Sequence, residues 1–139
     1  PKVLASIERL SKRYGLPVAN VFHAGDGNLH PLILYDPSIA DVEGRVRDLG
    51  AEILKECLSV GGSITGEHGV GADKRCYLDW MFSPADLEAM SLVRRAFDSL
   101  NLANPGKIFP TPKNCGESSR RRIDLASYGN DLGNDVQVF

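Results

Sequence analysis

Apolar side chains at Val3, Leu4, Ile7 and Leu10 step by three or four through VLASIERLSKRY, the spacing of one helix face. Gly15 and Pro17 mark its end. The pattern then changes. PVANVFHA and LHPLILYD are dense in Val, Ile, Leu, Phe and Tyr and read as two strands. Between them GDGN, with Asp26-Gly27 as a two-residue loop, is a hairpin turn, because both central positions tolerate positive φ. From Ser38 the helical step returns through Ile39, Val42, Val46, Leu49, Ile53, Cys57 and Val60, and Gly61-Gly62 stops it. Gly44 and Gly50 each weaken this helix by roughly 1 kcal/mol relative to Ala, unless they allow close packing on a sheet. SITGEHG reads as a short strand, 63–67, running into a Gly-rich bend, and GADKRCYLDWMF holds a short helix. Ser83-Pro84 opens another helix, with Ser as N-cap and Pro at the first helical position. Leu87, Met90, Val93, Phe97 and Leu100 run along its face, and NPGK, 104–107, turns the chain into an extended IFP.

The order helix, strand, strand, helix, strand and further helices predicts an α+β fold. It is a partial ferredoxin-like arrangement, αββαβ: an antiparallel sheet with helices on one face, plus C-terminal helices. The full motif, βαββαβ, has one more strand at its start, lying between the strands at 29–35 and 63–67. Without it, strand edges are bare and can recruit other chains, so self-association through those edges is expected. Val136 and Val138 are alternative candidates to fill the gap. Residues 1–110 form the folded segment. From 111 to 139 periodicity is weak and Ser, Asn, Asp and Gly are frequent, which predicts an irregular tail. The chain opens on Pro1, as a piece of a longer protein would.

Composition narrows the function. The 139 residues suffice for one domain, and 42% hydrophobic with 24% charged residues excludes a disordered chain, a collagen-like repeat and a disulfide scaffold. A net charge of −2 offers nothing to a phosphate backbone, so nucleic acid is not an expected partner. Arg120-Arg121-Arg122 is too short to change that and reads as solvated surface. No apolar run approaches the roughly 18 to 20 residues of a bilayer span. Cys57, Cys76 and Cys115 fit no zinc or redox spacing and read as free thiols of a reducing compartment. GDGNLH and GVGADK begin like a dinucleotide fingerprint but lack its third glycine, so these loops are not nucleotide sites. Lys74, Arg75 and Lys107 are of the right charge to meet an anionic substrate.

All three histidines lie in two short motifs. His23 and His30 flank GDGN; His68 follows Glu67 in TGEHGVG. With Asp26-Gly27 as the loop, His23 pairs directly with His30 on one face, and two imidazoles so placed can grip one divalent ion. Glu67 or His68, from another strand, supplies a third ligand. Such a set suits zinc with an open position, or non-haem iron. In a regular strand Glu67 and His68 face opposite ways, so one binds metal while the other faces the reacting centre; spacing leaves open which.

VFHAGDGNLHPLILYD, GGSITGEHGVGADK and NPGKIFP together resemble the C-terminal part of FAD-linked 2-hydroxy-acid oxidases and dehydrogenases, within the vanillyl-alcohol-oxidase-like flavoproteins. The resemblance, closest to the FAD-linked subunit of bacterial glycolate oxidases, covers about residues 1–112. It implies that His23, His30 and Glu67 bind a divalent metal, zinc being expected. It also implies that His68 is the base taking the substrate hydroxyl proton while hydride passes to FAD, and that Asn104 and Lys107 lie near the flavin ring. A Lewis acid beside the hydroxyl eases that proton's departure to a neutral imidazole. In the family the FAD-binding domain and the residues clamping the substrate carboxylate lie upstream. Leu32 stands where some relatives carry Asn. The function expected is therefore a cap-domain segment of an enzyme oxidising glycolate or D-lactate to the 2-oxo acid, inactive without its FAD-binding domain. The partners expected are that domain and other oxidase subunits, including an iron–sulfur protein. The location expected is cytoplasmic, peripheral to the inner face of the membrane through those subunits. A stand-alone metal-binding or interaction module and a metallohydrolase are the alternatives.

Overall fold

A computed structural model describes residues 2–110. The expected 111–139 tail, with Val136 and Val138, lies outside the described residues. The elements are α1 (Lys2–Tyr14), β1 (Val18–His23), β2 (Asn28–Ile33), α2 (Val42–Ser59), a 3-10 helix (Arg75–Trp80) and α3 (Pro84–Phe97). This is the expected α+β class, a partial ferredoxin-like arrangement with additional C-terminal helices, in which the sheet is open.

Two interlocking sets of apolar positions build the core. Ile7 and Leu10 of α1 meet Val42, Leu49 and Ile53 of α2, with Leu16 between; all six are buried. Val18, Leu29 and Ile33 of the hairpin pack against that cluster, so α1 and α2 cover one face of the sheet. A Cβ at Gly50 would make only an ordinary contact, 4.0 Å from the Ile33 side chain, and one at Gly44 would face open space, so neither glycine is required by packing on the sheet. Both long helices end in the same way. At the end of α1, Gly15 takes φ 62°, its N–H donates to Lys12 O, and the Leu16 N–H donates to Ser11 O. This is a Schellman closure, and its left-handed position favours glycine. Gly61 (φ 80°) closes α2 with the equivalent pair of bonds to Leu58 and Cys57.

Three details differ from the sequence expectation. The hairpin loop is four residues, Ala24 to Gly27, so His23 pairs with Asn28 and His30 with Val21. The helix expected from Ser38 begins at Val42, after a turn in which the Asp36 carboxylate accepts the Ser38 N–H at 2.9 Å. Residues 63–67 do not join the sheet, which has two strands among the described residues. Instead Ile64 is buried, and the segment meets Met81, just after the 3-10 helix, whose Sδ lies 3.5 Å from the Ile64 N. A ladder needs a neighbour aligned over several residues, and the glycines at 61, 62 and 66 interrupt the run on both sides.

The start of α3 follows its sequence closely. Ser83 Oγ accepts the Asp86 N–H at 3.3 Å and Asp86 Oδ2 accepts the Ser83 N–H at 2.9 Å, a reciprocal capping box with Pro84 at the first helical position. No side chain of α3 is fully buried: Leu87 and Met90 are half-buried, while Val93, Phe97 and, beyond the helix end, Leu100 are 61%, 90% and 77% exposed, so the C-terminal part of its apolar face has no cover among the described residues. Among those residues no helix is long and apolar enough to cross a membrane.

Candidate metal centre

The pleat of the hairpin decides which side chains meet. Val18, Leu29 and Ile33 face the helices, so the alternate positions, Val21 and His23 on β1 with Asn28, His30 and Leu32 on β2, share the opposite face. His23 and His30 are diagonal neighbours there rather than a direct pair. Because the register differs from the expected one by two residues, the face is preserved. A diagonal pair remains within reach of imidazole-length side chains, and the rings meet edge to face with centroids 5.4 Å apart.

The loop after α2 crosses this face at the Asn28 end. Gly66 lies so close to the hairpin that a Cβ there would stand 2.4 Å from Asn28 Oδ1. The next residue, Glu67, reaches back: its Oε1 is 3.0 Å from His30 Nε2 and 3.8 Å from His23 Nε2. One ligand atom from each of His23, His30 and Glu67 lies within 4.8 Å of the others. His68 lies at the margin, Nε2 3.3 Å from the same Glu67 oxygen and its ring 4.9 Å from that of His30. Burial grades across the group: the His30 side chain is 20% exposed, Glu67 49%, His23 57% and His68 71%.

Two imidazole nitrogens and a carboxylate are a donor set suited to zinc with a position left open. A tetrahedral ion with bonds near 2.1 Å holds its ligand atoms about 3.4 Å apart. The His30–Glu67 separation of 3.0 Å and the His23–Glu67 separation of 3.8 Å bracket this spacing. The residues fit a divalent ion.

The Asn104–Lys107 turn is placed by other contacts. Asn104 adopts φ 47° and Gly106 φ 73°. Arg94, paired with Asp98, donates to the Ala103 and Asn104 carbonyls, and Asp98 accepts the Leu102 and Ala103 N–H groups. Arg75 donates to Gly106 O, and the Ile108 N–H donates to Gly71 O at 2.8 Å, three residues beyond His68. The turn is thus tethered to the chain that leaves the site loop. Among the described residues, neither Asn104 nor Lys107 makes a hydrogen bond or ion pair with the His/Glu cluster. Sequence reasoning missed two residues that meet beside the cluster. Asn28 was only a turn residue in GDGN, and Gly66 only part of a bend. The expected two-residue loop places Asn28 opposite Gly25, so no sequence signal singled it out.

This chain belongs to the family of FAD linked oxidases, C-terminal domain, whose model matches residues 1–108. Among proteins it resembles is the glycolate oxidase subunit GlcD of Escherichia coli (strain K12), 49% identical over 117 residues, which are 84% of this chain and 23% of that protein. The Bacillus subtilis (strain 168) glycolate oxidase subunit GlcD is 39% identical over 121 residues, 87% of this chain and 24% of the relative. A D-2-hydroxyglutarate dehydrogenase of Stutzerimonas stutzeri (strain A1501) is 42% identical over 89 residues, 63% of this chain and 19% of its own. The chain spans about a quarter of the length of the glycolate oxidase subunits it matches.

Proposed function

We propose that this chain is the substrate-cap segment of an FAD-dependent 2-hydroxy-acid dehydrogenase, in which His23, His30 and Glu67 hold a zinc ion and His68 is the catalytic base. The observation that carries the reading is the convergence of Glu67 on both hairpin histidines with His68 beside it. A divalent ion bound there would supply a Lewis acid for the substrate hydroxyl, and FAD, held mainly by the remainder of a longer protein, would supply the hydride acceptor.

The chain's own residues have distinct tasks. His23 and His30 project from paired strands, which fixes their spacing. Glu67, next to a loop pressed on Asn28, completes the set. His68 is the most exposed of the four and so the best placed to meet a hydroxyl arriving from solvent. When its imidazole takes the hydroxyl proton, the Glu67 carboxylate 3.3 Å away counters the new positive charge. The open side of the hairpin admits a small 2-hydroxy acid; glycolate and D-lactate are the substrates proposed. Asn104 and Lys107, on a turn tethered near the site loop, would lie near the flavin ring. The partners proposed are the FAD-binding domain of the same longer chain and oxidase subunits that include an iron–sulfur protein, which would hold the assembly on the cytoplasmic face of the membrane.

The test is His68→Asn in the flavoprotein that carries this segment. Turnover with a 2-hydroxy acid falls by about 10²- to 10⁴-fold, the range for loss of a general base, while zinc content stays the same. Loss of zinc with His68→Asn, or full turnover without the imidazole, contradicts the assignment.

A further inference from the structure

We infer that Asn28 is the positioning residue of this centre: its side-chain amide seats the backbone of Gly66 and thereby sets how far Glu67 reaches toward His23 and His30. The inference rests on the metal reading above and adds to it a pair of residues that bind nothing themselves.

Asn28 is the cross-strand partner of His23 and lies on the same face as His30. Its amide lies against the site loop. A Cβ built on Gly66 would stand 2.4 Å from Oδ1, 2.9 Å from Cγ and 3.2 Å from Nδ2 of Asn28, so nearly the whole amide faces the glycine. Real Cβ atoms do not approach so closely, so a methyl there either turns the amide out of its seat or lifts the loop from the hairpin. The glycine is not needed for its backbone angles. Gly69 and Gly71 in the same loop have positive φ and Gly66 does not, so alanine at 66 is opposed by the contact with Asn28 and not by backbone strain. Glu67 follows directly, and its Oε1 is the atom common to the contacts with His23, His30 and His68. A displacement of Gly66 therefore moves the carboxylate on which the cluster converges. Groups that orient a ligand without touching the metal commonly matter about 10- to 100-fold in affinity.

The complementarity of amide and glycine predicts a reciprocal rescue. Zinc affinity of the 139-residue chain is measured by competition with a chromophoric chelator for the wild type, Gly66→Ala, Asn28→Ala and the double variant. Gly66→Ala weakens zinc binding by about 10- to 100-fold because the methyl displaces the amide from its seat or lifts the loop from the hairpin. Asn28→Ala also weakens it, because the loop loses its seat. The double variant, with the methyl occupying the space of the amide, binds more tightly than either single variant. Wild-type affinity in both single variants, or losses that simply accumulate in the double variant, overturns the positioning role. Should Gly66→Ala prevent folding, Asn28→Ala decides: unchanged affinity overturns the role and a loss supports it. Failure of the wild-type chain to bind zinc would instead overturn the metal reading itself, a distinguishable result.

Discussion

In the proposed metal centre His23 and His30 are unequally placed. His30 is the more buried and lies 3.0 Å from Glu67; His23 is at the exposed end of its strand, 3.8 Å away. A ligand held by its surroundings loses less freedom when it binds a metal, so His30→Ala should weaken zinc binding more than His23→Ala. Isothermal titration of both variants checks the order; equal losses would mean that burial does not pre-organise the site. At this scale much of the site was legible from sequence. HxGDGNxH carries its two imidazoles an odd number of residues apart on strands joined by a turn, and any register that preserves the alternation leaves them on one face. The hairpin register itself was not legible. Asp-Gly favours a two-residue loop locally, yet the Asp26 and Gly27 N–H groups both turn back to His23 O, closing a four-residue loop. Nor did spacing separate Glu67 from His68. That distinction depends on the path of the loop over Gly66.

Secondary-structure elements whose stop and start signals are chemical were read closely: Gly15 and Gly61 as helix ends, Ser83-Pro84 as a start. The element that failed was the short strand expected at 63–67, which does not join the sheet. Ser63 to Glu67 carries a single apolar side chain, Ile64, which is buried and whose N–H meets Met81 Sδ instead of a ladder partner, a tertiary choice no local pattern contains. The capping box of α3 gives an element-scale prediction. The Ser83 hydroxyl and N–H, donating to its carboxylate, hold Asp86 below its ordinary pKa. A carboxyl group whose pKa is lower in the folded than in the unfolded state stabilises the fold above the unfolded value, and that contribution is lost as pH falls through the lowered folded value. Acid should therefore fray the start of α3 as Asp86 takes its proton. Ser83→Ala should remove the effect at a cost of about 1 kcal/mol. Helical circular dichroism from pH 5 to 2 follows it; identical acid profiles for the wild type and Ser83→Ala would contradict the cap's role.

On the scale of the whole molecule, one face of the hairpin is closed by α1 and α2 and the other, bearing the His/Glu cluster, is open. Val21 and Leu32 on it are 55% and 52% exposed, and α3 carries its own uncovered apolar side chains. A chain that spans about a quarter of its relatives' length fits such an incompletely covered surface. The two-stranded sheet also has edges without ladder partners among the described residues, which are templates for pairing with another chain. The 139-residue chain on its own should therefore associate with itself in a concentration-dependent way. Sedimentation equilibrium gives the mass, and a single monomeric mass at all concentrations would contradict the expectation.

The central claim is that Glu67 completes a metal site while His68 stays out of it. Counting zinc bound per chain after equilibrium dialysis of the wild type, Glu67→Gln and His68→Asn tests it most directly. The account predicts one ion in the wild type, one in His68→Asn, and marked loss in Glu67→Gln. Zinc retained in Glu67→Gln and lost in His68→Asn would contradict it.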